Sequence, residues 1–272
     1  PLATSLAGAQ QVLEVVAHNG LKLSVNYVMR HVSLYQKLHA LAASGLFGKM
    51  IYLSLENDAA NEALHDRHWF WDQSKSGGIF VEHGVHFFDL CNSLVAGAPE
   101  RVVGFGSSSN GVRQDRVLAS VQYTDGTLAT FSHCFDRLAI LERTRLRVAF
   151  ERALVDFQGW IPEVMELEGR LPAEKVGELA KLLGAPLDVV DASSDELEKR
   201  VQVTLRYHDR TAEYGAAVRA GMEDLVRAIR EPEYTPLVTP ADAFSSLALA
   251  LAAQTSIDTK AAQEGTVYAR QV

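Results

Sequence analysis

GGIFVEHGVHFFDLCNSL, residues 77–94, is the stretch on which the reading of this chain turns. On a helix of 3.6 residues per turn, Glu82, His86, Asp89 and Ser93 follow one another at steps of four, three and four and share one face. Val81, Val85, Phe87, Phe88, Cys91, Leu94 and Val95 fill the other faces with apolar surface. Gly77 and Gly78 let the backbone enter the helix tightly and let another group approach its start. Two readings compete for the polar line. In one, Glu82 and His86 are an ordinary surface pair worth about 0.2–0.5 kcal/mol. In the other, His86 is a proton shuttle whose ring Glu82 orients, because imidazole titrates near neutrality and a carboxylate beside it fixes its tautomer. Apolar faces on three sides favour the second, since a buried carboxylate and buried imidazoles need partners.

Before this stretch, residues 1–20 read as a helix with Leu6, Ala9, Val12, Leu13 and Val16 at helical spacing, stopped at Asn19-Gly20. LKLSVNYV, residues 21–28, reads as a short strand, so that helix and strand together resemble the end of a parallel βαβ sheet. The chain is thus expected to begin inside a domain, with residues 1–28 a remnant of a dinucleotide-binding Rossmann domain and 29–272 a substrate-binding and oligomerisation domain. Residues 33–48 predict a second helix, KMIYLSLEND a strand, and residues 59–76 a loop, either binding or merely packed on the surface, holding His65, His68, Trp69, Trp71 and Asp72.

After it come RVVGFGSSS, RVLASVQYT, TLATFSHCF, TRLRVAFER and ALVDFQG, strand after strand without an intervening helix, with Asp125-Gly126 as a hairpin turn. A short helix near Glu174 to Leu183, a polar connection, a strand from Gln202 to Tyr207, and long helices from Thr211 to Arg230 and Pro240 to Thr259 complete the pattern. The fold class is α+β: a large, mostly antiparallel sheet of six to nine strands with helices on one face. The uncovered face predicts a homodimer or homotetramer.

The 272 residues are 47% hydrophobic and 22% charged, with ample core for one large or two medium domains. A net charge of -8 without a basic cluster argues against nucleic acid as a partner. The two cysteines, Cys91 and Cys134, suit reduced thiols in a cytoplasmic protein. No apolar run is long enough for a membrane span, and no signal peptide is expected.

The opening Pro-Leu-Ala-x-Ser-Leu, the VNYVMRH segment, the GGIFVEHGVHFFD helix and the closing TPADAFSSLALALAAQTSIDTKAAQEGTVY resemble the glucose-fructose oxidoreductase, inositol dehydrogenase and MocA (Gfo/Idh/MocA) family of NAD(P)-dependent oxidoreductases. The resemblance implies hydride transfer between a nicotinamide, NAD or NADP, and a secondary alcohol of a sugar, inositol or related polyol. It places the family's catalytic His on His86 and the family's Asp, four positions earlier, on Glu82, a departure by one methylene. It implies Tyr27, Arg30, His83, Trp69 and Asp72 as substrate-binding candidates and Pro1 and Tyr27 as cofactor-binding ones. A catalytic Lys and the Gly-rich phosphate loop are expected upstream of Pro1, and the residues in hand alone are expected to bind no cofactor tightly and to be inactive. Two other readings remain: a metal-dependent hydrolase or isomerase built on Glu82, His83 and His86, and a noncatalytic homologue whose sheet serves assembly.

Overall fold

The structure is a computed structural model that describes residues 1–191 and 197–264. Part of the polar connection expected near residue 192 and the Gly-Thr-Val-Tyr end of the closing motif lie outside the described residues. In chain order the elements are α1 (Leu6–His18), α2 (Ser33–Ser44), β1 (Met50–Ala60), α3 (Gln73–Ser76), α4 (Val85–Leu94), β2 (Pro99–Ser107), β3 (Arg116–Tyr123), β4 (Leu128–Arg137), β5 (Arg143–Phe150), β6 (Ala153–Gln158), β7 (Val164–Pro172), α5 (Val176–Leu183), β8 (Asp188–Asp191), β9 (Glu198–Arg206), α6 (Arg210–Arg230), α7 (Pro240–Thr259) and β10 (Gln263–Glu264).

The strands form one 10-stranded sheet in the order β10-β2-β3-β4-β1-β5-β6-β7-β9-β8. Every pairing is antiparallel except β1 with β4, which run parallel. Period-2 alternation fixes which face is which. Leu53, Leu55, Phe131, Leu146, Val148, Val155 and Phe157 are buried in the core, while Leu118, Gln122, Arg145, Arg147, Leu154, Glu166 and Glu168 stand exposed on the opposite face. The helices cover the first set, as α+β layering requires.

Local chemistry explains the element ends. Thr239 and Asp242 make a reciprocal capping box at the start of α7, with Pro240 in its first turn. Ser5 accepts from the Gly8 N–H at 3.1 Å and Asp209 from the Ala212 N–H at 2.8 Å, capping α1 and α6. In the β3–β4 hairpin Gly126 takes a φ of 90° that a side chain would resist.

Two expectations are corrected. Residues 21–27 form no strand and join no ladder among the described residues, and Val28–His31 then form a single 3-10 turn. The helix of residues 77–94 is composite: Phe80–Gly84 form a π turn that leads into α4. A π turn bonds i to i+5, so the 3.6-residue spacing does not hold within residues 80–84.

One polar knot holds the helical layer together. Arg30, in the 3-10 turn, donates through Nε and Nη2 to the two Asp89 carboxylate oxygens, both at 2.7 Å. Its Nη1 donates to the Leu237 carbonyl at 3.1 Å and its Nη2 lies 3.4 Å from Asp242. Ser246 adds a hydroxyl to Asp89 at 3.3 Å. The Arg30 and Asp89 side chains are 6% and 1% exposed, so each charge depends on the other. Burial pushes the Asp89 carboxyl up to about 6 against the pull of Arg30, which leaves it ionised at neutral pH. Removing one partner strands the other charge. Asp89→Ala is therefore expected to lower unfolding stability by ~3–5 kcal/mol in urea titration, with the double change Arg30→Met and Asp89→Leu costing less than Asp89→Ala alone.

Candidate functional site

A cavity of about 380 Å³ opens where the C-terminal end of β1 meets α4. Register explains the meeting. Asn57 of β1 pairs with His133 of β4 on one side and Thr144 of β5 on the other, and Asp58 pairs with Arg143. Asn57, Asp58, Ala59 and Thr144 form one wall, and His83, His86 and Phe87 form the wall across from them in the helical layer. Asn26, Val28 and Met29 close the N-terminal edge, and Glu142, Trp160 and Tyr214 the remaining rim. Trp160 follows Gly159 in the β6–β7 turn, and its indole meets the Tyr214 ring of α6 at 5.4 Å between centroids and 64° between planes.

The histidines owe their state to their surroundings. The His83 ring lies among Phe87, Phe135 and His133, at centroid distances of 5.4, 5.0 and 5.5 Å. Desolvation, with His86 nearby, drives His83 down to about 3, and desolvation drives His86 down to about 4. His133, fully buried beside His83, is held well below the usual imidazole range by the same cause. All three are neutral near pH 7. His83 Nε2, His133 Nδ1 and Nε2, and Asn57 Nδ2 are buried polar atoms without a hydrogen-bond partner among the described residues. The Asn57 Oδ1 is engaged, accepting from the Thr144 hydroxyl at 2.9 Å. Buried polar atoms left without a partner carry a desolvation cost, and these four cluster beside the cavity.

The expected site residues divide. His86 and His83 line the cavity together. Glu82 does not line it, and among the described residues no hydrogen bond or ion pair joins it to His86; it stands in the π turn at residues 80–84, and burial raises its carboxyl. Tyr27 lies behind the site, its ring edge-on to His86 at 5.6 Å and 88°, with a buried, unpartnered hydroxyl. Arg30 is not available to a substrate, because its guanidinium is consumed by Asp89, Leu237 and Asp242. Trp69 is 48% exposed and stacks against His68, away from the cavity. Asp72 caps α3 and pairs with Lys75 at 3.2 Å, also away from it. Pro1 is exposed and does not line the cavity. No group of three or more His, Cys, Asp or Glu among the described residues is placed to hold a metal ion, so the Glu82, His83 and His86 reading has no ligand set. Both cysteines are free, and no helix among the described residues is long and apolar enough to cross a membrane.

Asn57, Asp58, Thr144, Glu142, Trp160 and Tyr214 are functional candidates that the sequence reading missed. The one available signal was the polar Asn57-Asp58 pair ending an apolar strand.

With that geometry in place, comparison with known proteins adds the following. Residues 35–155 match the family described as the GFO/IDH/MocA C-terminal domain. The putative oxidoreductase YteT of Bacillus subtilis is 28% identical over 109 residues, 39% of this chain and 26% of that protein, so the match spans about a quarter of the curated relative's length. Among solved structures, the WlbA dehydrogenase of Bordetella pertussis, in complex with NADH and UDP-GlcNAcA, matches with a TM-score of 0.76 at 16% identity, covering 97% of this chain and 70% of that one. A super-repressor mutant of Gal80p from Saccharomyces cerevisiae matches with a TM-score of 0.74 at 11% identity, covering 98% and 72%. At such identities these structures establish the fold alone.

Folded-state pKa values near 3 and 4 make the cluster sensitive to acid. Above the ordinary histidine value of 6.5 the folded and unfolded forms bind the same protons here. Below it the unfolded chain takes up protons that folded His83, His86 and His133 refuse, and stability is lost until the folded values are reached. Glu82 and Asp89, with raised carboxyls, act in the opposite direction. Unfolding free energies from urea titration should fall from about pH 6.5 to about pH 5, by up to about 1.4 kcal/mol per pH unit for each histidine, and His133→Phe should flatten the slope by about one proton.

Proposed function

We propose, from the membership of residues 35–155 in the GFO/IDH/MocA C-terminal domain family, that this chain supplies the substrate side of an NAD(P)-dependent oxidoreductase acting on a secondary alcohol of a sugar, inositol or related polyol. The observation that carries the reading is His86: a neutral imidazole on the wall of a cavity that the polar side chains of Asn57, Asp58 and Thr144 also line.

The residues at the N-terminal edge fit the nicotinamide end of the cofactor. Asn26 offers an exposed amide there, and the imidazole of His86 lines the same cavity. The sequence contains no G-x-G-x-x-G loop for the pyrophosphate. When bound, the nicotinamide supplies or accepts the hydride at the alcohol carbon. His86 accepts the hydroxyl proton on oxidation and returns it on reduction, the role for which a neutral imidazole is needed. Asn57 and Thr144, joined by the Thr144 hydroxyl donating to the Asn57 Oδ1 at 2.9 Å, line the same cavity and offer polar side chains to the ring hydroxyls. Trp160 and Tyr214 present aromatic faces to the C–H surface of the ring. Tyr27 packs edge-on to the His86 ring and restrains its rotation.

In the complete protein, His86→Asn is expected to reduce kcat by ~10²–10⁴ with a smaller change in KM. Retention of full activity by this variant, with the fold verified by circular dichroism, would remove His86 from the mechanism.

The exposed sheet face supports assembly into a homodimer or homotetramer. Its charges alternate in sign across neighbouring strands, with Arg147 paired to Asp156 at 2.7 Å and Arg200 paired to Glu168. A second copy related by a two-fold axis would meet a surface of mixed charge like its own. Sedimentation equilibrium is expected to show a dimer or tetramer, and Leu154→Asp on this face to shift it toward monomer; a monomer in the unaltered protein excludes the arrangement.

A further inference from the structure

The charge of the cavity narrows what it can hold. Asp58 and Glu142 are the charged residues of its lining, and no Lys or Arg among the described residues accompanies them. His83 and His86 add no positive charge, since burial keeps both neutral near pH 7. The guanidinium groups closest to the carboxylates are already engaged. Arg137 donates to Asp58 at 2.8 Å and lies 3.7 Å from Asp136, and Arg143 lies 3.5 Å from Asp58. Glu142 accepts from the Ala60 N–H through Oε2 at 3.1 Å and carries no ion pair among the described residues. An anionic group entering this space would lose water and meet carboxylate instead of a cation.

We infer that the cavity selects a polyhydroxylated ring that is uncharged or carries an amine, and rejects the corresponding uronate, with Glu142 as the residue that sets the discrimination. The inference rests on the sugar or polyol reading of the same site. Specificity here comes from a repulsive element as much as from contact. The carboxylate leaves the hydroxyl contacts of Asn57 and His86 untouched while making an acid at the rim unfavourable. An ammonium in the same place meets Glu142 as an opposite charge.

The test is binding, which separates it from turnover. Calorimetry at low salt would compare two matched sets, glucose, glucosamine and glucuronate, and galactose, galactosamine and galacturonate, on the unaltered protein and on Glu142→Gln. In at least one set the neutral and amino members are expected to bind at least ~10-fold more tightly than the uronate, and Glu142→Gln to narrow that gap by ~3-fold or more. Glutamine retains an oxygen for the Ala60 N–H, and circular dichroism checks that the variant folds. A uronate that binds as well as its neutral partner overturns the charge selection and leaves the sugar reading standing. An unchanged gap in Glu142→Gln removes Glu142 as its source. Failure of all six to bind overturns the selection as stated for hexose rings, and with it the hexose form of the sugar reading.

Discussion

The bidentate contact between Arg30 and Asp89 is the constraint on which the site depends. It joins three segments far apart in sequence: the turn after the N-terminal segment, the first half of α4, and the start of α7. Asp89 stands three residues beyond His86 on the same helix, so fixing the carboxylate fixes the azimuth of α4 and with it the direction of the imidazole. Tyr27, three residues before Arg30, is carried by the same anchor to its place against the His86 ring. A hydrophobic contact could hold these segments together with comparable strength. It would not set their rotation as narrowly, because a planar guanidinium meets a carboxylate in one orientation.

Much of the fold is legible in the residues because the sheet has one wet face. Alternation such as Leu146, Val148 and Phe150 inward with Arg145 and Arg147 outward has no helical reading. The α7 start is legible because Thr239, Pro240 and Asp242 each do a separate job at a helix N-terminus. The segment 21–28 carries strand residues without forming a strand, and it joins no ladder among the described residues. Met165, Leu167 and Leu171 alternate with Glu166, Glu168 and Arg170, so β7 had the same signal as the strands that were recognised.

The site is legible only in part, and the reason is geometric. His86 stands out as an imidazole in apolar sequence. Its proposed partner Glu82 stands in a π turn with Phe80 and Val81 buried, and no residue type in the sequence announces that turn. Gly77 illustrates that packing: at a φ of 77° it brings its Cα so near Val81 that an added Cβ would sit 2.6 Å from Cγ1. The opposite wall comes from β1, β5, the β6–β7 turn and α6, which no local pattern connects. Only the strand order puts Asn57 between His133 and Thr144.

The buried histidines show why such a wall is built from imidazole at all. His133 sits where β4 passes under the helical layer, and an added Cβ on Gly84 would already lie 3.4 Å from its Nε2, so the space is filled. An ammonium or guanidinium there would need a paired carboxylate, as Arg30 does, and the pair would carry its own hydration into the cavity floor. Among the basic side chains imidazole needs the smallest shift to be polar and uncharged at neutral pH in so dry a place. The aromatic cage of Phe80, Phe87 and Phe135 therefore does more than pack. By withholding water it keeps His83 and His133 neutral, and two neutral rings beneath His86 leave the cavity's charge to the carboxylates at its rim.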